Sequence, residues 1–353
     1  MQMKWVWAMA AGAALCGLTF GCASLGPREL RAGQADYAQA LGDAKKRQIL
    51  AMMVGLRYAD APAFLNVTSI IASYSFAANG GPNASFVRAG NNAASVAGTI
   101  SYGNNPTFTF APITGEAYAT SYIRPLSVSL ILPLADGGIP IDLLLRITTQ
   151  SIGGLQNGTA LGGPGSDGSP GFFELLHVLR RLQLAGEFSV RYKETDKVGH
   201  VYFVMGASAN TLERAPDDLA QARQLLALKA RPEYEVVTGE GSGDGQIAIA
   251  VRSMLGILSA LGAEIRVPAY AVANGSTKPT IGLVGGEERP TIVVHAGHAP
   301  ADAYVAIGYG GETYWIDRSD FDSKYAFSVV QQVMALAEIT DDTKGPLVTI
   351  PAG

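Results

Sequence analysis

The chain has 353 residues, of which 48% are hydrophobic and 16% are charged, so most of it can bury a core in one large domain or two smaller ones. The formal net charge is −4 at pH 7, and no run of five or more basic residues occurs. This charge pattern argues against nucleic acid as a partner.

The N-terminus has the pattern of an export signal. Lys4 is followed by an apolar run over residues 5–21, and the small residue Gly21 comes directly before Cys22. A cysteine at this place is the arrangement of a bacterial lipoprotein signal, in which the thiol is acylated and becomes the new N-terminus. The residue after Cys22 is Ala23 and not Asp. By resemblance to Gram-negative lipoproteins, this residue favours transport of the protein to the outer membrane. We therefore predict lipidation at Cys22, and anchoring of the protein to the outer membrane on its periplasmic side.

Two alternatives to lipidation are plain secretion and an N-terminal membrane anchor. The apolar run of about 17 residues is at the lower limit for spanning a bilayer. Thr19 departs from the usual pattern, because leucine is the common residue three positions before the modified cysteine. Cys16 is a poorer lipidation site, since the bulky Leu15 precedes it. If residues 1–21 are removed, Cys22 is the only cysteine left, which excludes an internal disulfide and a thiol nucleophile.

Helical periodicity of apolar residues recurs along the chain. It predicts helices over residues 36–58, within 114–150 with breaks at Pro125 and Pro133, and over 172–179, 216–229, 251–262 and 323–337.

Strands and loops separate these helices. We expect strands over residues 64–76, 188–192, 200–205, 291–295 and 347–350, a hairpin joining 99–102 to 107–110, strands 235–238 and 246–249 around a glycine-rich turn, and a hairpin joining 303–309 to 313–317 through Gly310-Gly311. Residues 79–92 and 153–171 are expected to be loops.

The mixture of hairpins and helices predicts an α+β fold, with antiparallel hairpins packed against amphipathic helices. A tether is expected over residues 22–34, before an N-terminal region over 35–165 and a C-terminal region over 166–353. The two regions can also form one continuous domain.

One group of residues has the ligand types of a metal site. His295 and His298 form the only closely spaced histidine pair, and Asp302 follows them. Two imidazoles and a carboxylate can bind zinc. Residues three apart on a strand face opposite ways, so the alternative is one histidine at a strand end and one in a loop. The spacing favours this alternative.

The final hairpin is rich in aromatic residues, namely Tyr304, Tyr309, Tyr314 and Trp315. Exposed aromatic side chains would suit a binding surface. The alternative is that they pack in the core and against their cross-strand neighbours.

The acidic residues Asp317, Asp320 and Asp322 lie between this hairpin and the last helix. Their carboxylates can bind calcium or cap the helix that follows. We favour capping, because the spacing is not that of an EF-hand.

Several segments resemble a proteobacterial family of lipoproteins to which no activity is assigned. The similarity is carried by residues 47–50, 56–65, 106–112 with Gly115-Glu116, 141–146 with 150–152, 252–258, and 302–306 through 315–317 to Ser323-Lys324. The resemblance implies an envelope lipoprotein and brings no catalytic residues with it.

These observations predict a lipid-anchored envelope protein that acts as a binding or assembly component. This prediction is based on the anchor, the large core and the lack of a catalytic signature. The expected partners are the membrane, through the lipid on Cys22, and an envelope protein; no cofactor is expected. The alternatives are an envelope hydrolase that uses His295, His298 and Asp302, and a carrier of a small ligand or lipid.

Overall fold

The structure is a computed structural model. It describes residues 25–62, 65–71, 74–83, 95–104, 107–159, 168–195, 198–206, 216–239, 241, 243–280 and 289–338. The predicted signal peptide, Cys22, much of the loops at 79–92 and 153–171, and the strand at 347–350 lie outside these residues.

The helices follow in chain order. They are α1 (Leu25–Arg57), α2 (Gly115–Tyr118), α3 (Val128–Ile131), α4 (Ile141–Thr148), α5 (Pro170–Leu184), α6 (Pro216–Leu225), α7 (Met254–Ala263), α8 (Ala269–Ala273) and α9 (Phe321–Ala337). A π-helix (Ala119–Ile123) follows α2, and a 3-10 helix (Leu132–Ala135) follows α3.

The strands are β1 (Leu65–Ile71), β2 (Tyr74–Asn83), β3 (Ser95–Asn104), β4 (Thr107–Pro112), β5 (Thr149–Ile152), β6 (Leu155–Gln156), β7 (Phe188–Thr195), β8 (Val198–Met205), β9 (Glu233–Thr238), β10 (Gln246–Val251), β11 (His295–Ala296), β12 (Val305–Tyr309) and β13 (Glu312–Ile316). The α+β class predicted from the sequence is confirmed.

The chain divides into two compact units. Residues 1–62 and 125–335 form the first, and residues 63–124 and 336–353 form the second. Residues 63–124 of the second unit thus lie in the chain between the two parts of the first.

The long helix α1 begins at Leu25, inside the segment expected to be a tether. Its later turns carry Ile49, Met52 and Met53 on one stripe, and all three side chains are buried. These turns pack against α7 and β12. The helix ends in a turn in which Ala59 takes a positive φ of 63° and the N–H of Asp60 donates to the carbonyl of Gly55.

A six-stranded sheet in the first unit has the strand order β6-β5-β10-β9-β8-β7. Neighbouring strands in this sheet pair antiparallel, except for β9 and β10, which pair in parallel. The glycine-rich segment between these two strands therefore brings the chain back alongside β9 instead of closing a hairpin. Gly239 and Gly245 in this segment have positive φ values of 126° and 81°, which glycine tolerates best.

A three-stranded antiparallel sheet, with the order β11-β13-β12, lies in the last part of the first unit. The hairpin predicted between β12 and β13 is confirmed, with Gly310 and Gly311 at its turn. The strand predicted over residues 291–295 is shorter, because only His295–Ala296 pairs with β13. The backbone N–H groups of Thr291 and Val293 donate instead to the side chains of Glu264 and Ser323.

The second unit corrects one predicted pairing. β4 pairs with β1, and β3 pairs with β2, so the expected hairpin between residues 99–102 and 107–110 is wrong. The strand predicted over residues 64–76 is divided between β1 and β2. The register of β1 against β4 shifts between Val67 and Ser69.

No helix within the described part of the chain is both long enough and apolar enough to cross a membrane.

The close approach of α1 and α7 gives a first test. A Cβ atom on Gly262 would lie 2.6 Å from the carbonyl oxygen of Met53, which is fixed in α1. We expect Gly262→Ala to lower the free energy of unfolding by about 1–3 kcal/mol, because the two helices must separate to admit the methyl group.

Gly42→Ala is the matched control in α1, since its Cβ would meet no described atom within 4 Å. It should raise stability by about 0.5–1 kcal/mol. Urea denaturation measures both changes, and equal effects of the two variants would contradict the close contact at Gly262.

Candidate functional site

A cleft of about 670 Å³ opens in the first unit, between the segment after α7, the segment that leads into β11, and the start of β13. Its volume is in the range typical of sites for small ligands. The lining residues are Glu264, Arg266, Val267, Pro268, Arg289, Pro290, Val293, Val294, His295, Ala296 and Glu312.

The first wall of the cleft follows α7, and Arg57 at the end of α1 holds it in place. The Arg57 guanidinium donates to the carbonyls of Ile265 and Lys278 at 3.2 and 2.8 Å. It also donates to the hydroxyls of Thr277 and Thr280 at 2.9 and 3.2 Å. Burial lowers the pKa of Arg57. One side chain therefore fixes both ends of residues 265–280, the segment that includes Arg266, Val267 and Pro268.

The second wall is held against the start of α9. Arg289 forms ion pairs with Asp320 and with Asp322, the latter at 3.1 Å. The Ser323 hydroxyl accepts a hydrogen bond from the N–H of Val293 at 2.9 Å. Asp320 also accepts from the Ser323 N–H at 3.1 Å, which makes it the cap of α9, as predicted.

Glu264 lies at the floor of the cleft. Its carboxylate accepts from the N–H and the hydroxyl of Thr291, at 2.6 and 3.2 Å. Burial raises the pKa of Glu264, against the opposing effects of Arg146, Thr291 and Arg252. The side chain therefore has less tendency to carry a negative charge than a carboxylate in water.

A second cavity lies on another side of Glu264. Its volume is about 20 Å³, enough for one water molecule. Arg146 and Arg252 are among its lining residues, together with Asn157, Gly158, Thr159, Phe173, Ala260, Ala263 and Glu264. Glu264 thus lines both this cavity and the large cleft.

Arg252 is fixed by backbone carbonyls. Its guanidinium donates to the carbonyls of Arg146 and Ile147 at 3.2 and 3.3 Å, and to that of Gly158. Burial lowers the pKa of Arg252 to about 10, so the group stays protonated at neutral pH. The floor of the cleft therefore has a permanent positive charge behind it.

The residues of the predicted metal site are not brought together. His295 lies on β11 with its ring stacked on Trp315, at a centroid distance of 4.3 Å. His298 and Asp302 are exposed, and the backbone carbonyl of Asp302 accepts from Arg318 at 2.7 Å. Among the residues that the structure describes, no three His, Cys, Asp or Glu side chains are grouped as a metal would require. This arrangement agrees with the alternative of a strand-end histidine and a loop histidine.

The aromatic residues of the last hairpin differ in exposure. Tyr314 is 0% exposed, and its hydroxyl lies 2.5 Å from that of Tyr58. Tyr309 is half-buried; its ring lies 5.3 Å from that of Tyr58, and its hydroxyl donates to Asp60. Burial, together with the hydrogen bond to Tyr58, raises the pKa of Tyr314. Tyr314 is therefore a packing residue, which agrees with the alternative that the aromatic residues of this hairpin pack in the core.

Tyr304 and Trp315 are also half-buried. The Tyr304 ring meets Phe327 edge-on at 6.0 Å, and the Lys46 ammonium lies 4.8 Å above it. The indole N–H of Trp315 is buried and has no hydrogen-bond partner in the described part of the chain. It remains a prediction that a ligand or partner binds directly to Tyr304, Tyr309 and Trp315.

Sequence reasoning identified His295 in this site and missed Glu264, Arg266, Arg289 and Glu312. No local motif marks these four residues, since the cleft forms only when the segments around them meet.

Comparison with protein-family models, with curated proteins and with solved structures finds no match to this chain.

The pH dependence of stability tests the environment of Glu264. Because burial raises its pKa above the usual 4.5, the folded protein keeps a proton over a pH range in which the unfolded chain has lost it. This stabilising contribution is complete below the unfolded pKa and is lost as the pH rises through the folded one. Glu264→Gln has no proton to lose, so its stability relative to the wild type should increase with pH over this interval.

Chemical denaturation of the two proteins from about pH 4 to pH 8 measures the difference. A difference that is constant, or that changes in the opposite direction, would show that the pKa of Glu264 is not raised.

Proposed function

We propose that the protein is a lipid-anchored component of the outer membrane, faces the periplasm, and binds a small ligand in the cleft. The observation that carries the binding role is the cleft itself. Its volume of about 670 Å³ suits a small molecule, and charged and apolar side chains meet on its surface.

The anchor is supported by the N-terminal sequence. A basic start, an apolar run and Gly21-Cys22 are the elements of a lipoprotein signal. A multiply acylated cysteine holds a protein stably at a membrane, because each buried methylene contributes about 0.8 kcal/mol. The folded body then needs no apolar membrane surface of its own.

A small ligand fits the site better than the predicted protein partner. The contact surface suggested for a protein partner was the aromatic last hairpin, and Tyr314 in this hairpin is buried. The metal-dependent hydrolase relied on three residues that are not brought together. The cleft requires neither arrangement, because its walls are built from residues 264–268 and 289–296.

The anchor is tested by Cys22→Ser, with Cys16→Ser as the matched control. Cys22→Ser removes the thiol that is acylated, so it should abolish labelling by a radioactive or alkynyl fatty acid and release the protein from the membrane fraction. Cys16→Ser should keep both the label and the membrane location. If Cys22→Ser protein is still labelled, the lipidation site is wrong.

Binding in the cleft is tested by filling it. Ala296 lines the cleft and is exposed to it, so Ala296→Trp should occupy the space of the ligand. Small molecules released on denaturing the full-length protein from its native envelope can be measured by mass spectrometry. We expect at least about tenfold less ligand with the variant than with the wild type, which corresponds to a loss of about 1.4 kcal/mol or more.

Ala301→Trp is the control, because Ala301 is exposed on a neighbouring turn and does not line the cleft. It should retain the ligand of the wild type. Equal amounts from the wild type and Ala296→Trp, or none from the wild type, would contradict the proposed role of the cleft.

A further inference from the structure

Five ionisable side chains line the cleft, and three of them already have polar partners. Glu264 accepts two hydrogen bonds from Thr291. Arg289 is paired with two aspartates of the α9 start. Glu312 accepts from the hydroxyl of Tyr270 at 3.1 Å. Each of these three groups therefore has at least one polar partner within the protein itself.

The other two are Arg266 and His295. Within the described residues, neither side chain makes a hydrogen bond or an ion pair. A guanidinium has five N–H donors and no acceptor, and an imidazole has at least one N–H donor. The two lining side chains that have no polar partner are therefore both hydrogen-bond donors.

The two side chains differ in how they are held. Arg266 directly follows Ile265, whose carbonyl is bound by Arg57, so its backbone is fixed while its side chain is exposed. His295 is fixed by its ring contact, since it stacks on Trp315 with an angle of 20° between the planes. A ligand that binds both groups meets a backbone and a ring that are already in place, which reduces the entropy cost of binding.

We infer that the cleft binds an organic anion, a carboxylate or phosphate-type group joined to a small apolar part, with Arg266 and His295 as donors to the anionic oxygens. The planar fork of a guanidinium matches two oxygens of such a group. Val267, Pro268 and Pro290 supply apolar surface for the rest of the molecule. The inference rests on the proposed function, since it names the class of ligand for the same site.

The charges around the floor support an anion. Arg146 and Arg252 both act on the single carboxylate of Glu264. Burial also raises the pKa of that carboxylate, which lowers its tendency to ionise. The neighbouring acid Asp317 interacts electrostatically with His295, but it is not a lining residue and its carboxylate accepts two hydrogen bonds from Ser319.

The experiment compares three probes on the full-length protein in a nonionic detergent, by isothermal titration calorimetry. Phenylphosphonate has both the anion and the apolar part, inorganic phosphate has only the anion, and phenyltrimethylammonium reverses the charge. We expect phenylphosphonate to bind most tightly, phosphate more weakly, and the cation not at all.

Variants then assign the donors. Arg266→Met removes the guanidinium and keeps an unbranched side chain, and His295→Phe removes the ring donors and keeps a ring on Trp315. Each should weaken phenylphosphonate binding about tenfold or more, because a hydrogen bond to a charged group is lost. Arg47→Met and His298→Phe are matched controls outside the cleft and should bind as the wild type does. Thermal melting of each variant confirms that it is folded.

Three results would overturn the inference: tighter binding of the cation, no binding of phenylphosphonate at millimolar concentration, or phosphonate binding that Arg266→Met and His295→Phe leave unchanged. None of these results decides the proposed function, because the extraction experiment with Ala296→Trp tests ligand binding without assuming a charge. Loss of extracted ligand with Ala296→Trp but no anion binding would retain the cleft as a binding site and reject the anion.

Discussion

The guanidinium of Arg57 joins the end of α1 to the segment that forms the first wall of the cleft. Its four acceptors are spread over residues 265–280, and the hydroxyl of Thr277 returns a hydrogen bond to the Arg57 carbonyl at 2.6 Å. A lysine has no planar fork and cannot bind these acceptors in the same way. Since α1 also packs closely on α7 at Gly262, the position of Glu264 and Arg266 depends on where this helix lies.

Glu264 lines two polar cavities of the first unit. It is a lining residue of the cleft and also of a water-sized cavity lined by Arg146 and Arg252. Burying ionisable groups has a large desolvation cost, which is offset only where good hydrogen bonds surround them. Arg252 has such bonds to three carbonyls, and Glu264 has them to Thr291. An apolar side chain in place of Glu264 would remove a carboxylate that interacts with both arginines.

Elements whose partners are close in sequence could be predicted, and pairings between distant segments could not. The hairpin of β12 and β13 follows from alternating side chains around Gly310-Gly311, because these features all lie within fifteen or so residues. The segment between β3 and β4 has equally good turn residues, yet β3 pairs with β2 and β4 with β1. The same limit applies to β9 and β10, since a glycine-rich connection permits either orientation of the second strand.

His295 shows why the site was only partly predictable. Residue type and spacing to His298 suggested a metal ligand, whereas the fold stacks its ring on Trp315 and forms no metal-binding group of three such side chains among the described residues. The partners that give His295 a chemical context are Arg266 and Glu264, about thirty residues earlier in the chain. Arg57 holds the wall that carries them, and the hydrogen bond from Thr291 to Glu264 joins this wall to the segment that leads to His295. An imidazole and a guanidinium that line one cleft without polar partners are both donors, which suits an anion better than a metal ion.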